Sequence, residues 1–186
     1  AAGGSDYGVA GSVAINVADL TNEASTGANS HVRATGGGID VTAHHTLGLQ
    51  LLAGAGALGQ DEAGVGAAVA INIVPKHDTL ARIGTDSTTD ATGATNVTAQ
   101  AALVPLQADA PLLPDDADPG FTAASVSGGI SKGDAAVGGS VVINVFDTLT
   151  EAAIGAGAVV NGSTAGGQAQ DVSVRAIDDT RITNIA

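Results

Sequence analysis

The chain has 186 residues, of which 6 are Lys or Arg and 19 are Asp or Glu, giving a formal net charge of −13. This acidic balance excludes a phosphate-binding surface for DNA or RNA, because such surfaces need clustered Lys and Arg. There is no cysteine, so neither disulfides nor thiolate metal sites can hold the fold together.

The apolar content is aliphatic, with 44% hydrophobic but only 2% aromatic residues. Ala, Val, Ile and Leu must therefore fill the interior, and they suit a thin, regular one. Gly, Asn, Thr and Asp interrupt every apolar run before it reaches the length of a membrane-spanning helix, so no membrane insertion is predicted. The absence of Cys and Met is compatible with an oxidising exterior, and we expect a secreted, extracellular protein.

A short strand recurs three times around an asparagine that follows an isoleucine. The copies are residues 11–17 (GSVAINV), 67–73 (AAVAINI) and 139–145 (GSVVINV). Within the first, Val13 and Ile15 fall on one face and Asn16 on the other, which is the period of two that is typical of β-structure. The 27 glycines make long helices costly, so we expect a nearly all-β chain.

Two further strands are predicted after each anchor strand. The second is seen in TLARIG and TLTEAAIG, and the third in IDVTA, TNVTA and DVSVRA. The same order of short strands in every repeat predicts a parallel β-solenoid, or β-helix, built from three repeats of about 56–58 residues. We expect each layer of this stack to use about 20–25 residues.

The spacing of the anchors locates one insertion. The difference in residue number is 56 between Asn16 and Asn72, whereas it is 72 between Asn72 and Asn144. The longer interval contains residues 105–121, which hold four of the five prolines and are predicted to leave the stack as a protruding loop. Joining the two ends of the chain on paper gives a third interval of 58, so residues 1–186 are interpreted as one in-phase segment of a longer array.

Both ends of the chain are small and apolar. Terminal layers of a repeat stack need polar caps, and neither Ala1 and Ala2 nor Ile182 and Ile185 provides one. We expect these four residues to contact a copy of the chain, or an adjacent repeat of the same chain, stacked end to end.

The anchors Asn16, Asn72 and Asn144 have two interpretations. Their side chains form a ladder of hydrogen bonds between stacked layers, as in cross-β structures, or they point outward into solvent. The sequence does not separate the two.

Asp115, Asp116 and Asp118 form the densest acidic cluster, on the predicted loop. Ca²⁺ accepts oxygen ligands in flexible loops, so these three residues are the candidate calcium ligands. Their spacing matches no calcium motif, and solvation is the preferred interpretation. A contact of Leu112, Leu113 and Phe121 with a neighbouring subunit is preferred over metal binding, and no other cofactor is predicted.

The patterns that resemble catalytic or binding motifs are rejected one by one. Gly54, Gly56 and Gly59 match GxGxxG, but the segment that follows favours a strand over the helix that a dinucleotide site requires. Asp178 and Asp179 are adjacent on a strand and should diverge, so they cannot act on one glycosidic bond. No GxSxG sequence occurs.

The histidines show no metal-ligand spacing and are expected to be exposed strand residues, with His44 and His45 on opposite faces. They are His31, His44, His45 and His77. We predict no enzyme activity.

Three phrases carry a family resemblance: GVAGSVAINV at residues 8–17, AAIGAGAVV at 152–160 and DVSVRA at 171–176. On these the chain resembles the repeat regions of large bacterial filamentous haemagglutinin-like adhesins, particularly the leukotoxin-type filamentous adhesins. The resemblance implies a right-handed β-helix on the bacterial cell surface that acts as a stalk or fibre segment, with any host or cell-surface receptor bound elsewhere in the full protein. The alternatives are a self-assembling subunit of an extracellular filament or sheath and, more remotely, a polysaccharide-active β-helix.

Overall fold

Every regular element in the described part of the chain is a β-strand. The computed structural model describes residues 7–59, 63–106, 122–133, 135–162 and 170–186. The first repeat contains β1 (Tyr7–Ser25), β2 (His31–Ala34), β3 (Ile39–Leu49) and β4 (Leu51–Gly59). The second contains β5 (Ala63–Ile83), β6 (Thr88–Ala91), β7 (Thr95–Pro105) and β8 (Ala123–Ser131). The third contains β9 (Ala135–Ile154), β10 (Val159–Val160), β11 (Val172–Thr180) and β12 (Asn184–Ile185).

The strands form four parallel three-stranded sheets, and each repeat gives one strand to each sheet. Sheet A is β1-β5-β9, sheet B is β2-β6-β10, sheet C is β3-β7-β11 and sheet D is β4-β8-β12. The anchors Asn16, Asn72 and Asn144 lie side by side in sheet A. The prediction of an all-β chain with parallel, stacked strands is therefore confirmed.

The predicted length of one layer, about 20–25 residues, is wrong. The strand that pairs with β1 is β5, with Ala63 opposite Tyr7, so one layer is a whole repeat. Three repeats span two strand spacings, or about 10 Å. Each layer has four strands and the corners that join them, and therefore contains more residues than the strand pattern suggested.

The predicted anchor strand and the Thr/Ala-rich strand after it are one continuous strand in sheet A. The pairing register shifts between Val17 and Asp19 on one side of β5, and between Val74 and His77 on the other. Pro75 lies at this shift. Proline lacks the N–H that a central strand must donate, so β5 accommodates it as a bulge with one extra residue.

Sheets A and D pack unusually close together over the first half of each long strand. The side chains between them are small, and Ala53, Ala68, Ala70 and Ala123 are buried there. A Cβ at Gly66 would lie 2.5 Å from the carbonyl oxygen of Gly128, so only glycine permits this approach of the two backbones. The interior of this half is therefore thin, as the aromatic-poor composition indicates.

The second half of sheet A packs against sheet C with a more ordinary core. Ile83, Val41 and Val97 form its centre with three alanines, and Leu49, Val74 and Leu103 form a neighbouring cluster. These side chains fix the distance between sheets A and C.

The corner after sheet A repeats a left-handed backbone residue in every layer. Asn29, Asp86 and Gly157 have φ angles of 53°, 52° and 71°. The N–H of Asn29 donates to the oxygen of Thr85, and that of Asp86 to the oxygen of Ala156, so the corners stack as the strands do. Asn, Asp and Gly are the residues that adopt this conformation at least cost.

Candidate functional site

The anchor asparagines point into the molecule and connect its layers. Asn72 is fully buried, and its Nδ2 donates to Oδ1 of Asn144 at 3.0 Å and to the oxygen of Thr122 at 3.1 Å. Asn144 Nδ2 in turn donates to Oδ1 of Asn184. Of the two interpretations of these residues, the structure favours the ladder, with one side-chain bond between layers from Asn72 to Asn144, while Asn16 occupies the adjacent register position in β1.

A second polar feature is a histidine pair between sheets A and C. His77 Nε2 and His45 Nδ1 are 2.8 Å apart, and the rings meet edge to face with centroids separated by 4.7 Å. His77 is only 1% exposed, although the sequence predicts an exposed residue, and His45 is half-buried. The expectation is wrong for this pair because the bulge at Pro75 turns His77 toward the interior.

The surroundings of His77 favour its neutral form. Desolvation lowers its pKa below the usual value of 6.5, and the nearby His45 lowers it further, against weaker raising effects of Asp178 and Asp78. His77 Nδ1 is buried without a hydrogen-bond partner. His77 is therefore held toward its neutral form, and its contact with His45 joins sheets A and C.

The remaining histidines and the aspartate pair lie as the sequence analysis expects. His31 and His44 are exposed, and His44 and His45 lie on opposite faces of β3. Asp178 accepts hydrogen bonds from Thr150 at 3.0 Å and Thr180 at 2.6 Å, whereas Asp179 binds Arg181 at 3.0 Å. The two carboxylates have separate partners and do not converge on one position.

Several predicted site residues lie outside the described residues. These are Ala1, Ala2, Asp115, Asp116 and Asp118. Among the residues that are described, no group of three or more His, Asp or Glu is arranged to hold a metal ion. Ile182 is 45% exposed, and Ile185 is half-buried in β12, where it pairs with Ala124.

The two outer strands of sheet A present long free edges. β1 has 19 residues and β9 has 20, and no described strand pairs with the outer edge of either. Their backbone groups and alternating side chains repeat those of β5, to which both are already paired. Each edge is thus a template for one more strand of the same kind.

No family model, curated protein or solved structure matches this chain. The arrangement of its own residues is therefore the basis for any functional conclusion.

One open cavity lies at the corner that follows sheet A, with a volume of about 490 Å³. Arg82 is the cation among its lining residues, and Nε of Arg82 lies 3.2 Å from Oε1 of Glu151. Because this cation is already paired and Glu23 adds a second carboxylate, the cavity is poorly suited to an anionic ligand. Within the described ranges there is also no helix of the length and hydropathy needed to cross a membrane.

Sequence reasoning missed two features: the buried histidine pair and the exposed face of sheet A. The first had no signal, since a bulge decides which way His77 points. The second had a partial signal, because Ala14 and Asn16 alternate with Val13, Ile15 and Val17, which separates two faces without saying which lies inside. Here the small residues are inside and the branched aliphatic ones outside.

Proposed function

We propose that this chain is a segment of a parallel β-solenoid in which each whole repeat makes one layer, and that its role is structural. One observation carries the proposal: three repeats stay in register across all four sheets, and the outer strands of sheet A keep free edges. Such a stack gives reach and rigidity without a catalytic centre.

The specific role proposed is a stalk or fibre segment of a secreted bacterial surface adhesin. The resemblance of residues 8–17, 152–160 and 171–176 to filamentous haemagglutinin-like repeats supports it. So does the acidic, cysteine-free composition, which suits an extracellular location. In this role the neighbouring layers belong to the same chain, and receptor binding takes place elsewhere in it.

A second candidate is a filament subunit that stacks head to tail. The free edges of β1 and β9 favour it, because β9 of one copy has the alternation that β1 of another would pair with. Both roles use the same edge-to-edge contact, and they differ in whether that contact lies within a chain or between chains.

Proline substitution at the free edge tests the stack directly. Adjacent N–H groups of a strand point to opposite sides, so one of Val141→Pro and Val142→Pro removes a bond to β5 while the other removes only a donor at the free edge. We expect the free-edge variant to stay folded and to lose end-to-end association in analytical ultracentrifugation. If the parent chain associates, equal association of the folded free-edge variant would overturn edge stacking.

Fibre diffraction of concentrated parent chain gives an independent measurement. A stack of parallel layers predicts a reflection at about 4.8 Å along the fibre axis. Elongation of the isolated chain supports the filament subunit, whereas a chain that stays monomeric and folded supports the stalk.

A further inference from the structure

The histidine pair between sheets A and C departs from the repeat. His77 lies in the second layer and His45 in the first, and their rings join the two layers. The residues at the same register positions in the other layers are Leu20 and Thr148 in sheet A, and Ala101 and Asp178 in sheet C. All three layers stay in register although these other positions hold no histidine, so stacking does not depend on the pair.

His77 is the first inward side chain after the bulge that divides sheet A. Before the bulge the long strands pack against sheet D, and after it they pack against sheet C. Pro75 has no N–H to donate at this point, so the backbone of β5 is held less firmly here than in the rest of the strand. The pair therefore lies next to a hinge between the two halves of sheet A.

Of the residues that the structure describes, those with titratable side chains inside the molecule lie in one of these halves. The described inward residues between sheets A and D are Gly, Ala, Ser, Asn and a few aliphatic residues. Between sheets A and C, the described titratable residues that point inward are His45, His77 and Asp178. A change of pH can therefore act on the contact of sheet A with sheet C without acting on its contact with sheet D.

Protonation of both rings removes the hydrogen bond of the pair. Nε2 of His77 and Nδ1 of His45 lie 2.8 Å apart, so one nitrogen donates its proton and the other accepts it. Once both rings are protonated, no acceptor is left and two cations face each other. A proton on His77 alone is also unfavourable, because it charges a ring whose Nδ1 is buried without a hydrogen-bond partner.

The charged groups around His77 compensate for such a proton only in part. Asp178 faces it from β11, but its oxygens already accept hydrogen bonds from two threonine hydroxyls. Asp78 follows His77 in β5 and lies 3.5 Å from Nζ of Lys76. The positions paired with His77 in β1 and β9 carry no charge. Burial and the neighbouring histidine therefore outweigh the two carboxylates, and the pKa of His77 is lowered.

We propose that the His45–His77 pair is a proton-operated latch, whose protonation loosens the contact between sheets A and C at this position while sheets A and D stay packed. The aliphatic cluster around Ile83 does not titrate, so the opening is local and the chain stays folded. Loosening begins as the pH falls below about 6.5. The latch lies inside the chain and adds a response to acid to the structural role proposed above.

Cysteine labelling can test the latch, because the chain has no cysteine of its own. Thr79→Cys places a thiol next to His77 on the inward side of β5, and Ser125→Cys is the matched control between sheets A and D. Both hydroxyls are fully buried in the second layer without a hydrogen-bond partner, so neither substitution removes a bond. The rate of reaction with dithiodipyridine is divided by that of the urea-unfolded chain at the same pH.

We expect this relative rate to rise roughly fivefold or more for Thr79→Cys between pH 7.5 and pH 5, and clearly less for Ser125→Cys. Adding His77→Gln or His45→Gln should remove the effect of acid, because glutamine binds no proton in this range. His44→Gln, on the opposite face of β3, should leave the effect unchanged. The His45→Gln variant changes a half-buried residue and keeps the test valid if His77→Gln does not fold.

Three results would overturn the latch. Equal acceleration at both cysteines would show that acid unfolds the whole chain. Acceleration at Thr79→Cys that survives in the folded glutamine variants would assign the response to another group. A rate at Thr79→Cys that is the same at both pH values would show that the pair stays closed in acid.

Discussion

Asn72 connects two layers through a side chain that no solvent reaches. Replacing it by alanine removes the donor to Asn144 and to Thr122; the oxygen of Thr122 keeps the N–H of Leu51, whereas Oδ1 of Asn144 loses the bond from Asn72. We predict that Asn72→Ala lowers the free energy of unfolding by about 1–3 kcal/mol, measured by urea denaturation. Asn16→Ala, at the half-buried end of the column, should cost clearly less, and equal losses would argue against a ladder centred on Asn72.

His77 makes the stability of the fold sensitive to acid. Its pKa is lowered in the folded chain by burial and by His45, so the unfolded chain binds a proton more readily. We predict that the free energy of unfolding falls as the pH drops below about 6.5, the unfolded value. The loss continues until the pH passes the lower folded pKa.

Denaturant unfolding of His77→Gln at pH 7.5 and pH 5 measures this contribution. The pH dependence should be smaller in that variant than in the parent chain. The same measurement on His44→Gln, which changes an exposed histidine of β3, is the control. A His77→Gln chain with the parent's full pH dependence would assign the acid sensitivity to other groups.

Glycine in the closely packed half of sheet A determines how near sheet D can lie. We predict that Gly66→Ala destabilises the chain by about 1–3 kcal/mol, because its Cβ would meet the backbone of Gly128 and force the two sheets apart. Gly11→Ala is the matched control, since nothing lies within 4 Å of the added atom. It should be neutral or stabilising in thermal unfolding, and a neutral Gly66→Ala would contradict the close approach.

The corner after sheet A has a residue with a left-handed backbone conformation in every layer, and substitution at this residue tests how far the corner depends on it. At Asp86, with φ of 52°, we expect Gly to be tolerated and Val to cost about 1–2 kcal/mol relative to Gly. Urea denaturation of Asp86→Gly and Asp86→Val gives the difference. Similar stabilities would mean that the corner relaxes to an ordinary backbone conformation.

The elements were predictable from the sequence to different degrees. The repeat marks Asn16, Asn72 and Asn144 as equivalent positions, and these positions pair in the structure because identical strands stack best in register. Alternation separates the two faces of β1, but it does not by itself say which of them lies inside, since both are largely apolar. The inward direction is decided by the short distance to sheet D, which is a tertiary property.

Other features could not be predicted because they follow from the arrangement of the backbone. Pro75 indicates a bulge only once β5 is known to be a central strand, and the direction of His77 follows from that bulge. The length predicted for one layer was wrong because short strands separated by corners resemble several smaller layers. The candidate site residues at Asp115, Asp116 and Asp118 stay a prediction.

At the scale of the whole molecule, the stack keeps its register across the insertion predicted at residues 105–121. Pro105 pairs with Leu49 and Ala123 pairs with Leu51, so the strands on either side of the insertion meet positions that only Gln50 separates in the first repeat. Leu106 donates to the oxygen of Leu49, and Thr122 to that of Thr183. The backbone is thus held on both sides of residues 107–121.

We predict that deletion of residues 107–121 leaves a folded chain. Loop closure becomes less costly in a shorter connection, and every described strand pair is retained. Thermal unfolding should give a midpoint equal to or above that of the parent chain, with the same far-UV circular dichroism spectrum. A chain that unfolds or aggregates would show that the deleted residues contribute to the core.

At the junction between β7 and β8, the spacing of the layers is therefore independent of the length of the connecting segment. Backbone pairing of the strands sets the layer spacing, and residues can be inserted at this corner without changing it. A peptide placed at this junction in successive repeats would be displayed at intervals of one strand spacing, about 4.8 Å. The architecture can in this way present a dense, evenly spaced row of ligands without any change of pitch.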